Sequence, residues 1–99
     1  MEIHEFQKLI EELYLERDTE RGIEGTYFWF AEEVGELTRA IRRGHTGPDL
    51  EGEFADVFAW LVSMASMLGV DIEQAAKAKY FAGGVKGHEK DRLHGTDNP

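Results

Sequence analysis

Two pairs of acidic residues are the positions in this chain whose type and spacing best suit chemistry. Glu33 and Glu36 form the first acidic pair, and Glu53 and Asp56 form the second. Residues three apart on a helix lie on one face, about 60° apart around the axis. Like charges that close destabilise a helix mildly unless a cation joins them. The sequence therefore predicts a divalent-cation site built from two helices.

Both acidic pairs hold the same position relative to the apolar residues of their helices. At about 100° per residue, the first pair falls in one arc beside the apolar stripe, and that arc also holds Glu32 and Trp29. The second pair repeats this layout with Trp60. Two antiparallel helices joined by a short loop and packed through their apolar stripes would bring the two arcs together.

The residue types indicate which cation such a site would hold. Mg²⁺ takes oxygen ligands in octahedral geometry and is usually held by a few carboxylates together with substrate phosphates. Carboxylates without Cys or His suit a hard cation better than zinc or copper. A single E-x-x-E is common on helix surfaces, but two at matching positions, each one turn from a tryptophan, favour a metal site. We expect Mg²⁺ as the cofactor, with Mn²⁺ as a possible substitute.

Length and composition bound the class of protein. A chain of 99 residues makes one small domain, which we place at residues 1–82, and the glycine-rich, polar residues 83–99 are predicted to be a mobile tail. A net charge of −9 argues against binding to nucleic acid polymers or anionic membranes. The absence of cysteine excludes disulfides, and neither a signal peptide nor a membrane-length apolar run is evident. The expectation is a soluble cytoplasmic protein.

The apolar periodicity predicts an all-α fold: a compact bundle of three longer helices and a short fourth, completed by oligomerisation. The first helix is predicted over residues 2–20, with Gly22 and Gly25 breaking it. Thr26 is the expected N-cap of the second helix, which runs to about Arg43. The apolar stripes expected to form the core of the second and third helices are Phe30, Val34, Leu37 and Ile41, followed by Leu50, Phe54, Val57, Leu61, Met64 and Leu68.

The third and fourth helices are predicted from their end signals. Asp49, after a proline, is the expected cap of the third helix, which stops at Gly69. Asp71 has the form of a capping-box residue that opens the short fourth helix, which runs to about Phe81. No stretch alternates with a period of two, so no strand is predicted.

The acidic pairs and their surroundings resemble the MazG-type all-α nucleoside triphosphate pyrophosphatases. The segments that carry the resemblance are EEVGEL at 32–37, EFADVFAWL at 53–61 and LGVDI at 68–72. They are similar to the family's E-E-x-x-E, its E-x-x-D and the helix start that follows, and the similarity spans roughly residues 3–82. Either acidic half alone would be unspecific, whereas the combination in this helix order is characteristic.

The resemblance implies hydrolysis of a (deoxy)nucleoside triphosphate to the monophosphate and pyrophosphate, with Mg²⁺ as cofactor. It implies Glu33, Glu36, Glu53 and Asp56 as metal ligands, and Glu32 and Glu36 as the residues involved in catalysis. The biological role that we expect is the clearing of non-canonical or surplus nucleotides. Members of the family are homodimers or homotetramers, so self-association is expected as well.

Five further residues are predicted to bind substrate. Trp29 and Trp60 could stack on a base, although packing in the core or at a subunit contact explains them equally well. The resemblance suggests Lys79 and Lys86 as phosphate contacts and Gln7 as a contact to the base.

Two other classes of protein are compatible with parts of this pattern. A non-catalytic, metal-stabilised helical interaction or regulatory module could keep the same fold without turnover. A ferritin-like di-iron bundle is the second alternative, but it requires Glu-x-x-His on two helices. Neither acidic pair has histidine at that offset.

Overall fold

The computed structural model describes residues 1–81, which form four helices. They are α1 (Ile3–Arg21), α2 (Ile23–Arg42), α3 (Gly47–Met67) and α4 (Ile72–Tyr80). This confirms the predicted all-α class, with three longer helices and a short fourth, and no strand occurs in the described part of the chain. Within the same residues no single helix is long and apolar enough to cross a membrane. The only helix pair that meets those criteria jointly, α3 with α4, is bent by 96°.

The boundary between α1 and α2 lies at Gly22, whose φ of +90° is a backbone conformation that glycine adopts without strain. Helix α2 begins at the next residue, so the predicted break at Gly25 and the predicted N-cap at Thr26 are both wrong. Thr26 is fully buried, and its hydroxyl accepts a hydrogen bond from Arg21 at 3.3 Å. A Cβ on Gly25 would lie 2.7 Å from Cγ of Arg21, so this glycine makes room for the arginine rather than ending a helix.

The connection between α2 and α3 is short. Gly44 has a φ of +72°, and the N-cap of α3 is Thr46, with a proline in the first turn of the helix. Asp49 therefore lies inside the first turn and is not the N-cap that the sequence predicted. Its carboxylate still lies near the positive end of the helix dipole, where negative charge is favourable. So short a connection makes α2 and α3 neighbours that run in opposite directions.

Helix α3 occupies the centre of the bundle, packing against α2 on one side and α1 on the other, while α4 packs on α1. The buried apolar residues are few and small, and they are Ile10, Ala40, Val62 and Ala65. Several residues of the predicted stripes are exposed instead, including Ile41, Phe54 and Leu68, of which Leu68 is 64% exposed. Three long helices cannot cover the whole width of these stripes. The prediction that every residue of the stripes lies in the core is therefore wrong for the single chain.

A continuous apolar groove results from this exposure. It has a volume of about 670 Å³ and lies between the start of α2 and the end of α3. Its wall includes Tyr27, Phe28, Leu61 and Met64. Phe28 is 70% exposed, which is high for a phenylalanine that borders other apolar side chains.

Two sets of hydrogen bonds hold α4 in place at its start. The Asp71 carboxylate accepts a hydrogen bond from the backbone N–H of Gln74 at 3.0 Å, which confirms the predicted N-cap. The backbone N–H of His4 donates to Oε1 of Glu73 at 2.9 Å and thereby joins the start of α1 to α4. Hydrogen bonds from His4 hold the pKa of Glu73 below its usual value.

Gln7 forms a second link between α1 and the turn before α4. Its amide nitrogen donates to Oγ of Ser66 and to the backbone carbonyl of Val70, both at 2.9 Å. Its amide oxygen accepts from the backbone N–H of Ile72 at 3.0 Å. Ser66 in turn donates to Glu11 at 2.7 Å. The result is a buried polar junction that ties α1, α3 and α4 together.

Candidate functional site

The packing of α2 on α3 brings carboxylates from both acidic pairs to one place. Glu33 of α2 and Glu53 and Asp56 of α3 each have a carboxylate oxygen within 4.8 Å of the other two. We call these three side chains the carboxylate cluster. Glu33 and Glu53 are partly buried, and Asp56 lies at the exposed edge. The structure thus joins three of the four residues that the sequence analysis proposed as ligands.

The carboxylates of the cluster and its neighbours repel one another. The pKa of Glu33 is raised above its usual value. Burial is the largest cause, and the neighbouring carboxylates add to it in the order Asp56, Glu53, Glu36 and Glu32. Within residues 1–81, no arginine, lysine or histidine forms an ion pair with any of the three cluster side chains. Among the described residues, the negative charge gathered here is therefore not balanced by an ion pair.

The remaining two acidic residues of the sequence motif lie outside the carboxylate cluster. Glu36 accepts a hydrogen bond from Nη1 of Arg39 at 2.8 Å and is not among the three converging carboxylates. Glu32 is exposed to solvent, and its charge contributes to the raised pKa of the adjacent Glu33. Both therefore border the carboxylate cluster.

The two tryptophans pack on each other beside the carboxylate cluster. Their ring centroids are 6.2 Å apart and their planes are inclined by 10°. The guanidinium carbon of Arg21 lies 5.3 Å from the ring centroid of Trp60. Trp60 is thus covered by protein groups, in agreement with the packing interpretation, while Trp29 remains 47% exposed. Of the two rings, Trp29 offers more surface to a base.

A cavity of about 240 Å³ between α1 and α3 adjoins the carboxylate cluster through Asp56. Sequence analysis missed the α1 residues that line it: Tyr14, Arg17, Asp18 and Arg21. They recur at spacings of three and four, which is the pattern of a helix face that packs against protein. These side chains are mostly polar, and a polar helix face is expected to be solvated. Their spacing on α1 was therefore not interpreted as a packed face.

The arginines of this cavity differ in their surroundings. Asp18 is buried, with 3% of its surface exposed, and it pairs with Arg21 at 2.8 Å. Arg17 forms no ion pair or hydrogen bond with any of the described residues. Arg17 lines the cavity, and none of its donors is used by another described residue.

Of the other predicted substrate contacts, Gln7 and Lys79 lie on α1 and α4, which do not carry the carboxylate cluster. Both amide hydrogens of the buried Gln7 are used at the helix junction, and this residue lies about 16 Å along α1 from Asp18. These hydrogen bonds give Gln7 a structural role, and its contact to the base stays a prediction. Lys79 lies on α4, with its ammonium 5.9 Å from the ring centroid of Tyr80, and α4 packs on α1 rather than on α2. Lys86 and the predicted tail, residues 83–99, lie outside the described residues.

An antiparallel helix pair that joins an E-E-x-x-E to an E-x-x-D defines a class of all-α proteins with an acidic site. The MazG nucleotide pyrophosphohydrolase domain family matches residues 21–80 of this chain, a segment that contains every acidic residue of the motif. The chain therefore belongs to this family, whose members are hydrolases that ordinarily use a divalent metal. No curated protein shows a significant match to the chain.

The residues present fit a divalent cation. The carboxylate cluster offers oxygen ligands from two helices, and oxygen is the donor that Mg²⁺ and Mn²⁺ prefer. Burial and like charge raise the pKa of Glu33, so a bound cation would remove a repulsion that the folded chain otherwise retains.

Proposed function

We propose that this protein hydrolyses a (deoxy)nucleoside triphosphate to the nucleoside monophosphate and pyrophosphate, with Mg²⁺ or Mn²⁺ as cofactor. One observation carries the proposal: carboxylates of Glu33, Glu53 and Asp56 converge within the segment that matches the family. These three residues would hold the cation, and Glu36, at the edge of the cluster, would join them as a further ligand. A bound divalent cation neutralises triphosphate charge and polarises its phosphorus–oxygen bonds.

The protein's own residues would supply binding and proton transfer. The carboxylates of the cluster draw the cation, and with it the substrate phosphates, to the α2–α3 contact. Glu32 is exposed and adjacent to Glu33, so its carboxylate is available to accept a proton from the attacking water. Glu36 is the second residue proposed for this role. A carboxylate that serves as the base must be ionised at the working pH.

The cavity between α1 and α3 is the proposed position of the nucleoside part of the substrate. It adjoins Asp56, and the residues that line it include Trp60 and Arg17. An aromatic wall favours a planar base, and the donors of an arginine without a partner can bond to carbonyl or ring-nitrogen acceptors. The exposed surface of Trp29 offers a second stacking position next to the cluster.

Self-association as a homodimer or homotetramer forms part of the same proposal. The apolar groove at Phe28 and Leu61 leaves side chains in water that a second copy of the chain could cover. Burying apolar surface is worth roughly 25 cal/mol per Å², and a small domain has few other sources of stability. Light scattering after size-exclusion chromatography would give the mass, and a monomer would contradict this part of the proposal.

Incubation of the protein with a panel of canonical and modified nucleoside triphosphates and Mg²⁺ tests the reaction. The expected products are the monophosphate and pyrophosphate, and EDTA should abolish their formation. Release of orthophosphate from the γ position would contradict the mechanism. A preference for modified nucleotides would support the clearing of non-canonical nucleotides, and fractionation of the source cells would test the predicted cytoplasmic location.

Asp56→Asn should abolish turnover while the helical content stays unchanged. Glu51→Gln is the matched control, because Glu51 is an exposed carboxylate on the same helix outside the carboxylate cluster. If the unaltered protein showed no turnover and Asp56→Asn altered only thermal stability or the binding of another protein, the non-catalytic module would be the better description.

A further inference from the structure

Glu36 differs from the other acidic residues of the motif in having a cationic neighbour. Its Oε1 accepts a hydrogen bond from Nη1 of Arg39 at 2.8 Å, an ion pair one turn along α2. Glu32 and the three residues of the carboxylate cluster form no such pair within residues 1–81. Among the five acidic residues of the motif, Glu36 is thus the one whose charge is balanced by an arginine of the described residues.

Pairing with Arg39 and joining the carboxylate cluster are alternative positions for the Glu36 side chain. In the paired position its carboxylate is outside the group whose oxygens lie within 4.8 Å of one another. It nevertheless lies one helical turn from Glu33 on α2. Both side chains are substantially exposed, 41% for Glu36 and 55% for Arg39, so neither is locked by packing.

Arg39 borders a cavity while it is paired with Glu36. Together with Arg42 and Arg43 it lines a cavity of about 420 Å³ at the end of α2. The C-terminal end of a helix favours positive charge, which offsets part of the repulsion among three arginines. When the pair opens, the Arg39 side chain can therefore stay at this cavity, beside Arg42 and Arg43.

We propose that Arg39 is a positioning residue that competes with a divalent cation for Glu36. Without the cation, Arg39 holds Glu36 at the edge of the carboxylate cluster. With the cation bound, Glu36 exchanges its arginine for the cation. The inference rests on the proposed cation site, and it assigns to Arg39 the effect of lowering cation affinity.

Direct measurement of Mn²⁺ binding by isothermal titration calorimetry tests the competition without any turnover. Arg39→Met should bind Mn²⁺ more tightly than Arg42→Met, by up to about fivefold, which is the range that an exposed ion pair can supply. Arg42→Met is the matched control, because it removes the same charge from the same helix end without breaking an ion pair. In a Glu36→Gln background the two arginine variants should bind Mn²⁺ equally.

Two outcomes would overturn the inference while leaving the proposed function intact. Weaker Mn²⁺ binding by Arg39→Met would show that Arg39 orients Glu36 as a ligand instead of competing for it. Equal affinity of Arg39→Met and Arg42→Met, in a protein that still releases pyrophosphate from nucleotides, would show that the pair has no effect. If the unaltered protein bound no Mn²⁺, the inference would fail together with the cation site. Circular dichroism of every variant should show unchanged helical content.

Discussion

The indole rings of Trp29 and Trp60 lie almost parallel, with centroids 6.2 Å apart and an angle of 10° between their planes. One ring belongs to α2 and the other to α3. Trp29 precedes Glu33 by four residues and Trp60 follows Asp56 by four, so each ring lies one helical turn from a residue of the carboxylate cluster. The aromatic contact therefore fixes the spacing of the two helices at the point where their carboxylates meet.

Loss of this aromatic contact should destabilise the protein in a coupled way. We expect Trp60→Ala to lower the free energy of unfolding by about 2 kcal/mol or more, because Trp60 also packs against Arg21. A double-mutant cycle with Trp29→Ala should give a coupling of about 0.5–1.5 kcal/mol in urea denaturation. Phe28→Ala is the control for Trp29→Ala, because both residues lie on α2. Its effect on the free energy of unfolding should add to that of Trp60→Ala. Additivity of the two tryptophan variants would mean that the contact between the two rings contributes nothing to stability.

Removal of one carboxylate from the cluster should have opposite effects with and without a cation. In EDTA, Glu53→Gln should raise stability by roughly 0.5–1 kcal/mol, because several small like-charge repulsions disappear. In Mg²⁺ the same variant should lose most of the stabilisation that ligand binding gives the unaltered protein. Thermal unfolding of the variant in both buffers measures the two effects, with Glu51→Gln as the control. Stabilisation by Mg²⁺ equal to that of the unaltered protein would contradict a role for Glu53 as ligand.

The stability of the cation-free protein should depend on pH through Glu33. Its pKa is raised, so the folded chain binds a proton at pH values where the unfolded chain has lost it. This contribution is present at low pH and is lost as the pH rises through the raised pKa. Glu33→Gln should remove that component from thermal unfolding curves recorded in EDTA between about pH 4 and pH 7.

Glu73 provides the matched comparison for this experiment, because its pKa is lowered by hydrogen bonds from His4. Its contribution is present above its ordinary pKa and is lost as the pH falls through the lowered value. Glu73→Gln should therefore change the pH dependence in the opposite direction to Glu33→Gln. Parallel changes in the two variants would show that the burial of Glu33 has no effect on its titration.

Gln7 should affect stability and leave the chemistry nearly unchanged. Gln7→Leu removes three hydrogen bonds at the junction of α1 with the start of α4, and it leaves the backbone groups of Val70 and Ile72 without partners. The expected loss is about 1–3 kcal/mol in urea denaturation, with faster amide exchange at Ile72. Lys8→Ala is a neighbouring exposed control. A raised KM of Gln7→Leu with unchanged stability would instead support the base contact that the sequence suggested.

Helical periodicity predicted the four helices and the face of α2 and α3 on which the acidic residues lie. It failed at the helix starts, because Thr26 has the chemistry of a cap but is buried by packing around Arg21. It also failed for apolar residues such as Phe54, since a stripe shows which residues avoid water but not whether one chain can cover them. Asp18 and Arg21 were missed because a charged face is expected to be solvated, and only the neighbouring helix reveals its burial.

The hydrogen bonds at the start of α4 also indicate the order in which the helices of the chain fold. They join residues 65 and 69 positions apart, so they form only after the two ends of the described chain have met. Helix α4 has nine residues, too few to be stable alone in water. It should therefore be among the last elements to form and the first to open. Deletion of the opening turns of α1 should unfold α4, although the two segments are separated by most of the chain.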